Sequence, residues 1–550
     1  MPSSGQEDEL VLLPLGGAGE IGMNFNAYGF GPPNARKWIV VDCGVLFGRE
    51  TDTPGVDIIM PDIRFLAERA EDVLGMVLTH AHEDHIGAIG WLWPQLRCPM
   101  YATPFTARLM EDKLAEAGLP ERPRVIRLGG KVKIGPFDVE FHSITHSIPE
   151  PNALVIRTPL GTVMHTGDWK LDPDPLIGEA TDEAAFRRIG DEGVLAMVCD
   201  STNALVQGRS GSEADVKKGL TQLIGTLKGK VAVTGFASNL ARLQSVAQAA
   251  KAHGRQVALI GYSMHRITGA ARETGYMDGF PRLIDEEEAD RLPANRVLYL
   301  CTGSQGEPRA ALARIARGDH PSVTLGQGDA VIFSSRIIPG NDIPIHELHN
   351  QLSALGVEVL TVEDHFVHVS GHPCREELSQ MYRWVRPQIA VPVHGELRHM
   401  TEHARLARSL QVPQAVVVEN GHMLRLAPGR ASVIDEVPSG RIYMDGRVMT
   451  EAGANLTRNR RALAFAGFIG ITLPLDQKGR IAGEAALFLE GMPQMVQGPV
   501  REAVDETLRR YNPKKGDDEA LKEQVRRAAR RAANDIWGKK PVTRVEIVWV

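Results

Sequence analysis

His80-Ala81-His82-Glu83-Asp84-His85 follows directly on a largely apolar run, VLGMVLT at residues 73–79, and precedes a helix-like stretch, IGAIGWLWPQL at residues 86–96. Three imidazoles and a carboxylate able to ligate a metal thus share one strand-to-helix loop. In an irregular loop the side chains of His80 and His82 can converge on one ion while Asp84 and His85 turn to a second. A lone histidine is more often a hydrogen-bonded structural residue than a ligand. Three histidines and an aspartate within six positions are a different signal, because a metal needs several donors close together. Imidazole with carboxylate favours zinc, manganese or iron over calcium, and ligand type alone does not choose among them.

Working outward, further potential ligands stand at the ends of other strand-like runs: His146 in THSIP, Asp168 in HTGDWKLD and His394 in VPVHGE. His80, His82 and His146 would hold one metal and Asp84, His85 and His394 the other, with Asp168 bridging. Short β-like runs at 10–15, 38–41, 73–79, 139–144, 162–165 and 194–199 alternate with Gly- and Pro-punctuated loops and helical stretches, an α/β pattern. From about residue 210 a second rhythm sets in, with strands expected at 230–234, 256–260, 296–301 and 330–334 and helices between them, which predicts βαβ units and a mostly parallel sheet. The run at 389–393 is followed by His394, whose chemistry belongs with the first segment, so the second domain is expected to be an insertion into the first. Beyond about residue 453, runs at 465–473 and 485–489, a basic helix-patterned run KEQVRRAARR at 522–531 and a final β-like run at 543–550 predict a small α+β domain. The expected boundaries are 1–208, 209–374, 375–450, a linker at 451–465, and 466–550.

The chain's 550 residues, 43% apolar and 24% charged, suffice for two or three cores. A net charge of −6 gives no overall signal for nucleic-acid binding, so any polyanion site must be local. The basic run at 522–531 reads first as a solvated helix face. Cys43, Cys98, Cys199, Cys301 and Cys374 are scattered and form no C-x-x-C pair, which argues against a disulfide framework and a zinc ribbon and fits a reducing cytoplasm. The polar, acidic start has no secretory pattern, and no apolar run approaches the roughly 18 residues of a membrane helix.

H-x-H-x-D-H with the later His, Asp and His resembles the motif series of the metallo-β-lactamase fold. The resemblance implies a four-layer αββα sandwich, with Asp42 of VVDCG in a structural role beside the ligand loop. His142 and His165 are left as structural. That fold hosts lactamases, thioesterases, glyoxalases and nucleases, and so does not settle the substrate. The segment from about 210 to 374 resembles the β-CASP insertion of nucleases, with Asp200 in CDSTNAL, Ser370-Gly371-His372 and His394 as signposts. LGGAGEIGMN, LTHAHEDHIGAIG, THSIPE, GDWKLDP, CDSTNA, GFASN, CTGSQGEP, SSRIIPGN, HVSGHP and VPVHGE together resemble the ribonuclease J family over about residues 10–445.

The resemblance implies a 5′-to-3′ exoribonuclease favouring 5′-monophosphate ends, with endonuclease activity in many members, two divalent ions (zinc first, manganese or magnesium as alternatives), and single-stranded RNA as partner. It also implies a homodimer or homotetramer and RNA-decay proteins as partners. In such a site water attacks phosphorus in line, Asp168 fixes the metal pair, and Asp84 can orient the water. His372, hydrogen-bonded to Asp200, is expected to protonate the leaving 3′-oxygen. His368, Val369, Ser370, Gly371 and His372 offer a phosphate cradle, or else a polar turn. Phe236 can stack a base, although a lone Phe belongs first in a core. Ser304 and Ser335 lie in glycine-associated loops suited equally to an anion or to a turn. The competing readings are a DNA nuclease or purely endonucleolytic processor of the same group, a catalytically silent RNA-binding scaffold, and a small-molecule thioesterase or lactamase, which has no need of the insertion.

Overall fold

Along the strands Glu9–Gly16, Lys37–Val41, Phe137–Ser143 and Asn152–Thr158, residues two apart turn to the same side, and Leu10, Leu12, Ile39, Val41, Phe137, Val139, Phe141, Leu154 and Ile156 meet in one buried cluster. That cluster is the interior of a sandwich in the computed structural model, which describes residues 7–49, 51–338, 340–453, 455–512 and 517–550. The N-terminal ten-residue stretch read for a leader and Pro339 of SSRIIPGN thus fall partly or wholly outside the described residues. One face is an eight-stranded sheet running from Ser432–Glu436 through Glu9–Gly16 and Val73–Val77 to Arg124–Val125. The other is a seven-stranded sheet in which Gly161–His165, Ala196–Asp200 and Ile389–Val393 are neighbours, all parallel. Helices Glu183–Glu192, Arg375–Val385 and Leu397–Ser409 bury Phe186, Met381 and Leu406 on the outer face of the second sheet. Helix Pro104–Glu116 lies against the strands Met100–Ala102 and Arg124–Val125 of the first. The arrangement is the αββα sandwich.

The helix expected at 86–96 forms as two pieces, Glu83–Ile86 and Ile89–Leu96. Its ladder is diverted by tertiary bonds: the Ala88 amide donates to Cys43 O, and Asp84 O accepts instead from the Asn24 amide. This break holds the ligand loop against the chain at Asn24 and Cys43.

Between residues 200 and 389 the chain leaves the sandwich and forms a six-stranded parallel sheet in the order Leu283–Ile284, Gln256–Ile260, Val297–Cys301, Val231–Thr234, Ala330–Phe333, Glu358–Leu360. Its core is separate, with Ala232, Ile260, Tyr299, Leu312, Val331 and Leu348 buried together. The chain then returns as Ile389–Val393, parallel to Ala196–Asp200 with Val393 opposite Asp200, so His394 emerges beside Asp200. One wholly buried carboxylate ties both crossings to the sandwich: Glu377 accepts from the amides of Leu171, Ser210 and Cys374 and from the Ser210 hydroxyl at 2.6–3.0 Å.

A second compact unit comprises Phe47–Ile58 and Tyr443–Val550. Within it, Phe468–Leu475 pairs antiparallel with Ala486–Glu490 and parallel with the terminal strand Val542–Trp549. Leu521, Val525, Ala529 and Ala533, spaced by four along helix Asp518–Trp537, pack with Ile469, Ile471 and Val545. The basic run lies on this helix, with Arg526 and Arg527 both paired to Glu523. Leu456–Ala466, which spans most of the expected linker at 451–465 and crosses the expected boundary at 466, is helical, as its leucine, arginine and alanine content favours. Residues 47–58 join this unit through Asp57 N to Met444 O at 3.0 Å and Arg460 Nη1 to Pro54 O at 3.2 Å, pairings across some 390 positions that no local pattern announces.

Glu377→Ala would leave buried amides at both crossings without acceptors. A loss of about 3 kcal/mol or more is expected, since bonds to a charged group contribute about 1.5–3 kcal/mol each, and denaturant unfolding should show it as a lowered midpoint.

Candidate metal centre

The seven expected ligands come together at the edge of the sandwich in two groups that share Asp168: His80, His82, His146 and Asp168, and Asp84, His85, Asp168 and His394. In the first, His82 Nδ1 lies 3.1 Å from both His80 Nε2 and His146 Nε2. In the second, His85 Nε2 is 3.1 Å from Asp168 Oδ2, and His394 Nε2 is 3.1 Å from Asp84 Oδ2. A third group, Asp168, Asp200, His372 and His394, adjoins them. Asp168 Oδ1 is buried with no hydrogen bond, 3.2 Å from His394 Nδ1.

The outer ring atoms fix which nitrogens face inward. His146 Nδ1 meets the carbonyl of Gly371, which only accepts, so Nδ1 carries the proton and Nε2 presents a lone pair. Thr79 spends its hydroxyl hydrogen on Asp42 at 2.9 Å, so His80 Nδ1 donates to Thr79 Oγ1 at 3.0 Å and Nε2 is again a lone pair. His85 Nδ1 donates to Asp42 Oδ2 at 2.7 Å. Thr202 donates its hydroxyl to Asp200 at 2.7 Å and accepts from His394 Nδ1 at 3.0 Å. In their neutral forms, four imidazoles therefore turn Nε2 lone pairs toward one another and toward the carboxylates.

Burial, reinforced by the neighbouring imidazoles, holds His80 and His146 well below the usual histidine range, and burial brings His82 down to about 4. Burial thus favours the neutral form in all three, the form a metal ligand needs. Burial also opposes charge on His85 and His394, but Asp168 and the other carboxylates outweigh it and push His394 up to about 10 and His85 well above its ordinary value. A divalent cation held among these carboxylates would take the place of those protons. The donor set and the orphaned Asp168 oxygen fit a pair of divalent ions, with nitrogen-rich and carboxylate-rich halves.

Four family models match in chain order: the metallo-beta-lactamase superfamily at residues 27–187, the ribonuclease J beta-CASP domain at 228–352, a Zn-dependent metallo-hydrolase RNA specificity domain at 357–417, and the ribonuclease J C-terminal domain at 456–550. Ribonuclease J of Sinorhizobium meliloti is 48% identical over 99% of this chain and 98% of its own. The chain belongs to the ribonuclease J family. Other members are similar over most of its length: that of Thermus thermophilus is 37% identical over 98% of this chain and 95% of its own, and that of Corynebacterium glutamicum 38% over 98% and 76%. A crystal structure of a protein of unknown function from Enterococcus faecalis shares the fold at a TM-score of 0.54 and 16% identity, covering 76% of this chain and 100% of that one.

The remaining ribonuclease J signposts are placed as follows. His372 Nδ1 lies 2.8 Å from Asp200 Oδ2, and its side chain is 22% exposed. Ser370 Oγ accepts from Asn203 Nδ2 at 2.8 Å and from the His372 amide at 3.2 Å. Gly371 passes so close to His146 that a Cβ would lie 2.8 Å from the ring, which requires glycine there. Val369 is buried. His368 contacts Arg242 Nη1 at 3.3 Å, and burial together with Arg242 and Arg336 brings it down to about 3. Phe236, expected by default in a core, is 37% exposed at the carboxyl end of strand Val231–Thr234. Ser304 and Ser335 are buried in turns after Val297–Cys301 and Ala330–Phe333, and among the described residues neither bonds to the metal cluster. All five cysteines are buried and unpaired. His142 bonds Glu140 and His165 bonds Tyr28, and neither belongs to a group of potential ligands.

Sequence reasoning passed over Thr79, Thr202 and Asn24, which orient ligands, and Arg242, which is buried with Glu213 and reaches Ser334, Val367 O and His368. Thr79, Thr202 and Asn24 lie inside the runs LTHAHEDHIGAIG, CDSTNA and LGGAGEIGMN, but nothing in those runs marks them as partners of the clustered histidines.

Asp42→Asn removes the charged acceptor shared by Thr79 and His85. A fall of about 10–100-fold in metal affinity is expected, as for other partners of ligating histidines, measured by competition with a chelating dye.

Proposed function

We propose that the chain is a two-metal ribonuclease that removes nucleotides from the 5′ end of single-stranded RNA, favours 5′-monophosphate ends, and cuts internally as a second mode. The observation that carries this reading is the position of His372, partnered by Asp200 and reachable from solvent, beside a donor cluster suited to two cations. RNA as substrate is supported by the match of residues 357–417 to an RNA specificity domain and by the names of the full-length relatives.

His80, His82 and His146 would hold one ion, Asp84, His85 and His394 the other, and Asp168 would be shared. Zinc is proposed, with manganese or magnesium as alternatives for activity. When bound, such a pair supplies an activated water near neutral pH and neutralises charge on phosphoryl oxygens. The chain's own groups complete the reaction. Asp84 orients the water, which adds to phosphorus as the bond to the 3′-oxygen breaks. His372 donates Nδ1–H to Asp200, which leaves Nε2 to pass a proton to the departing 3′-oxygen. The products are a 5′-phosphate and a 3′-hydroxyl. The loop from His368 to His372 cradles the phosphate, Ser304 and Ser335 are further candidates for RNA phosphates, and Phe236 offers an exposed face to a base. A homodimer or homotetramer working in the cytoplasm with RNA-decay proteins is proposed on the family resemblance; among the described residues no helix is long and apolar enough to cross a membrane.

His372→Ala is expected to lower kcat by about 10²–10⁴-fold, the usual contribution of a general acid, with little change in RNA affinity; unchanged turnover would remove its role as acid. One RNA labelled at either end, offered with a 5′-monophosphate, with a 5′-triphosphate and as all-DNA, tests the whole reading in the presence of zinc or manganese. Mononucleotides released from the 5′-monophosphate RNA are the expected result. Internal cuts alone would indicate an endonuclease, cleavage of DNA a DNA nuclease, and no cleavage of any substrate an RNA-binding scaffold.

A further inference from the structure

Glu83 sits inside the ligand loop, between His82 and Asp84, yet neither group of potential ligands includes it. Its carboxylate is taken up by two cations. Lys113 Nζ, on helix Pro104–Glu116 of the sandwich, lies 2.5 Å from Oε2. Arg266 Nη2, on helix Tyr262–Glu273 of the insertion, lies 2.8 Å from Oε1. Among the described residues Arg266 Nε is buried without a partner, and its Nη2 is held by Glu83. On the main chain, Glu83 O accepts from the amides of Val45 and Gly87. Glu83 is thus gripped by the sandwich at its backbone and by both domains at its side chain, one residue away from a ligand on each side.

We infer that the inserted domain sets the metal affinity of the sandwich through this contact, with Arg266 a positioning residue for the ligand loop. The inference rests on the metal-centre reading above. The grip restricts the loop before metal arrives, so that His82 and Asp84 are already near their bound positions and less order is lost on binding. A second ion pair between the same two helices, Arg108 Nε to Glu273 Oε2 at 2.5 Å, joins them without touching the ligand loop. It is also more open, with side-chain exposures of 26% and 57% against 19% and 35% for Arg266 and Glu83, and exposed pairs contribute little. The two pairs therefore separate loop positioning from general attachment of the helices. Because coupling is reciprocal, metal would in turn hold the insertion against the sandwich.

The test uses the full chain, stripped of metal, with zinc affinity read by competition against a chelating dye and folding checked by circular dichroism. Arg266→Ala is expected to weaken zinc binding about tenfold, the lower end of what partners outside the ligand shell contribute, with most of it restored in Arg266→Lys. Arg108→Ala is expected to match the wild type. Should Arg266→Ala fail to fold, Arg266→Gln, which keeps the stem and a donor, carries the same comparison. Wild-type affinity in Arg266→Ala, or in Arg266→Gln where that variant replaces it, overturns the inference, as does an equal loss in Arg108→Ala. A wild-type protein that takes up no zinc or manganese overturns the metal-centre reading and the inference with it.

Discussion

The Nε2 lone pairs of His80 and His146 converge on His82 Nδ1, where one N–H could satisfy only one of them, and a cation shared by all three is what the surrounding fold is arranged to receive. Asp42 adopts a left-handed backbone at φ 66° while its carboxylate takes the Thr79 amide, the Thr79 hydroxyl and His85 Nδ1. Residues other than glycine enter that region at a cost, and such positions gather at functional sites. His394 does the same at φ 50°, directly after its strand. The outer nitrogens of His80, His85, His146 and His394 are held by Thr79, Asp42, Gly371 and Thr202, so their Nε2 atoms turn inward before any cation is present. The distances of 3.1 Å between inward nitrogens are those of donors waiting on a shared partner.

The sandwich serves this arrangement through register. Parallel pairing sets Val393 beside Asp200 and His165 beside Val198, which brings the loops carrying Asp168, Asp200 and His394 to one edge of the seven-stranded sheet. In open α/β sheets, ligands gather at the carboxyl ends of the strands for the same reason: side chains there are anchored by a rigid strand yet free of the ladder. The six-stranded sheet of the insertion repeats the logic on a second scale. Phe236, Ser304 and Ser335 each follow the carboxyl end of one of its strands.

What could be read from the sequence depended on how locally each function is encoded. HAHEDH was legible because four donors crowd one loop, and His146, Asp168 and His394 because each closes a strand-like run. The insertion was legible because βαβ rhythm stopped and the metal chemistry resumed. Thr79 and Thr202 were not, since their role is to settle a tautomer on another residue and any hydroxyl beside a motif looks the same in sequence. Glu377 was hidden for a similar reason: on helix Arg375–Val385 it reads as one more surface acid, and only the fold delivers Leu171, Ser210 and Cys374 to it. The broken helix after His85 follows from Asn24 and Cys43 competing for its backbone groups. The exposure of Phe236 has the same kind of cause, because hydrophobicity argues for a core and only topology shows that the strand has already ended.

The order of the ligands along the chain makes both halves of the centre depend on the insertion. His80, His82, His146 and Asp168 all precede it, and a nitrogen-rich site could in principle form from the first segment alone. Yet His146 takes its tautomer from the carbonyl of Gly371, at the far end of the insertion, and without that acceptor either ring nitrogen can hold the proton. The carboxylate-rich half lacks His394 until the chain has left the sandwich, built a six-stranded sheet and returned. His372, between those two points, lies beside Asp200, with Cys374 two residues on held by Glu377. A partly folded chain therefore cannot present a complete hydrolytic centre. The residues that would recognise the substrate and those that would cleave it are brought together by the same two crossings of the chain.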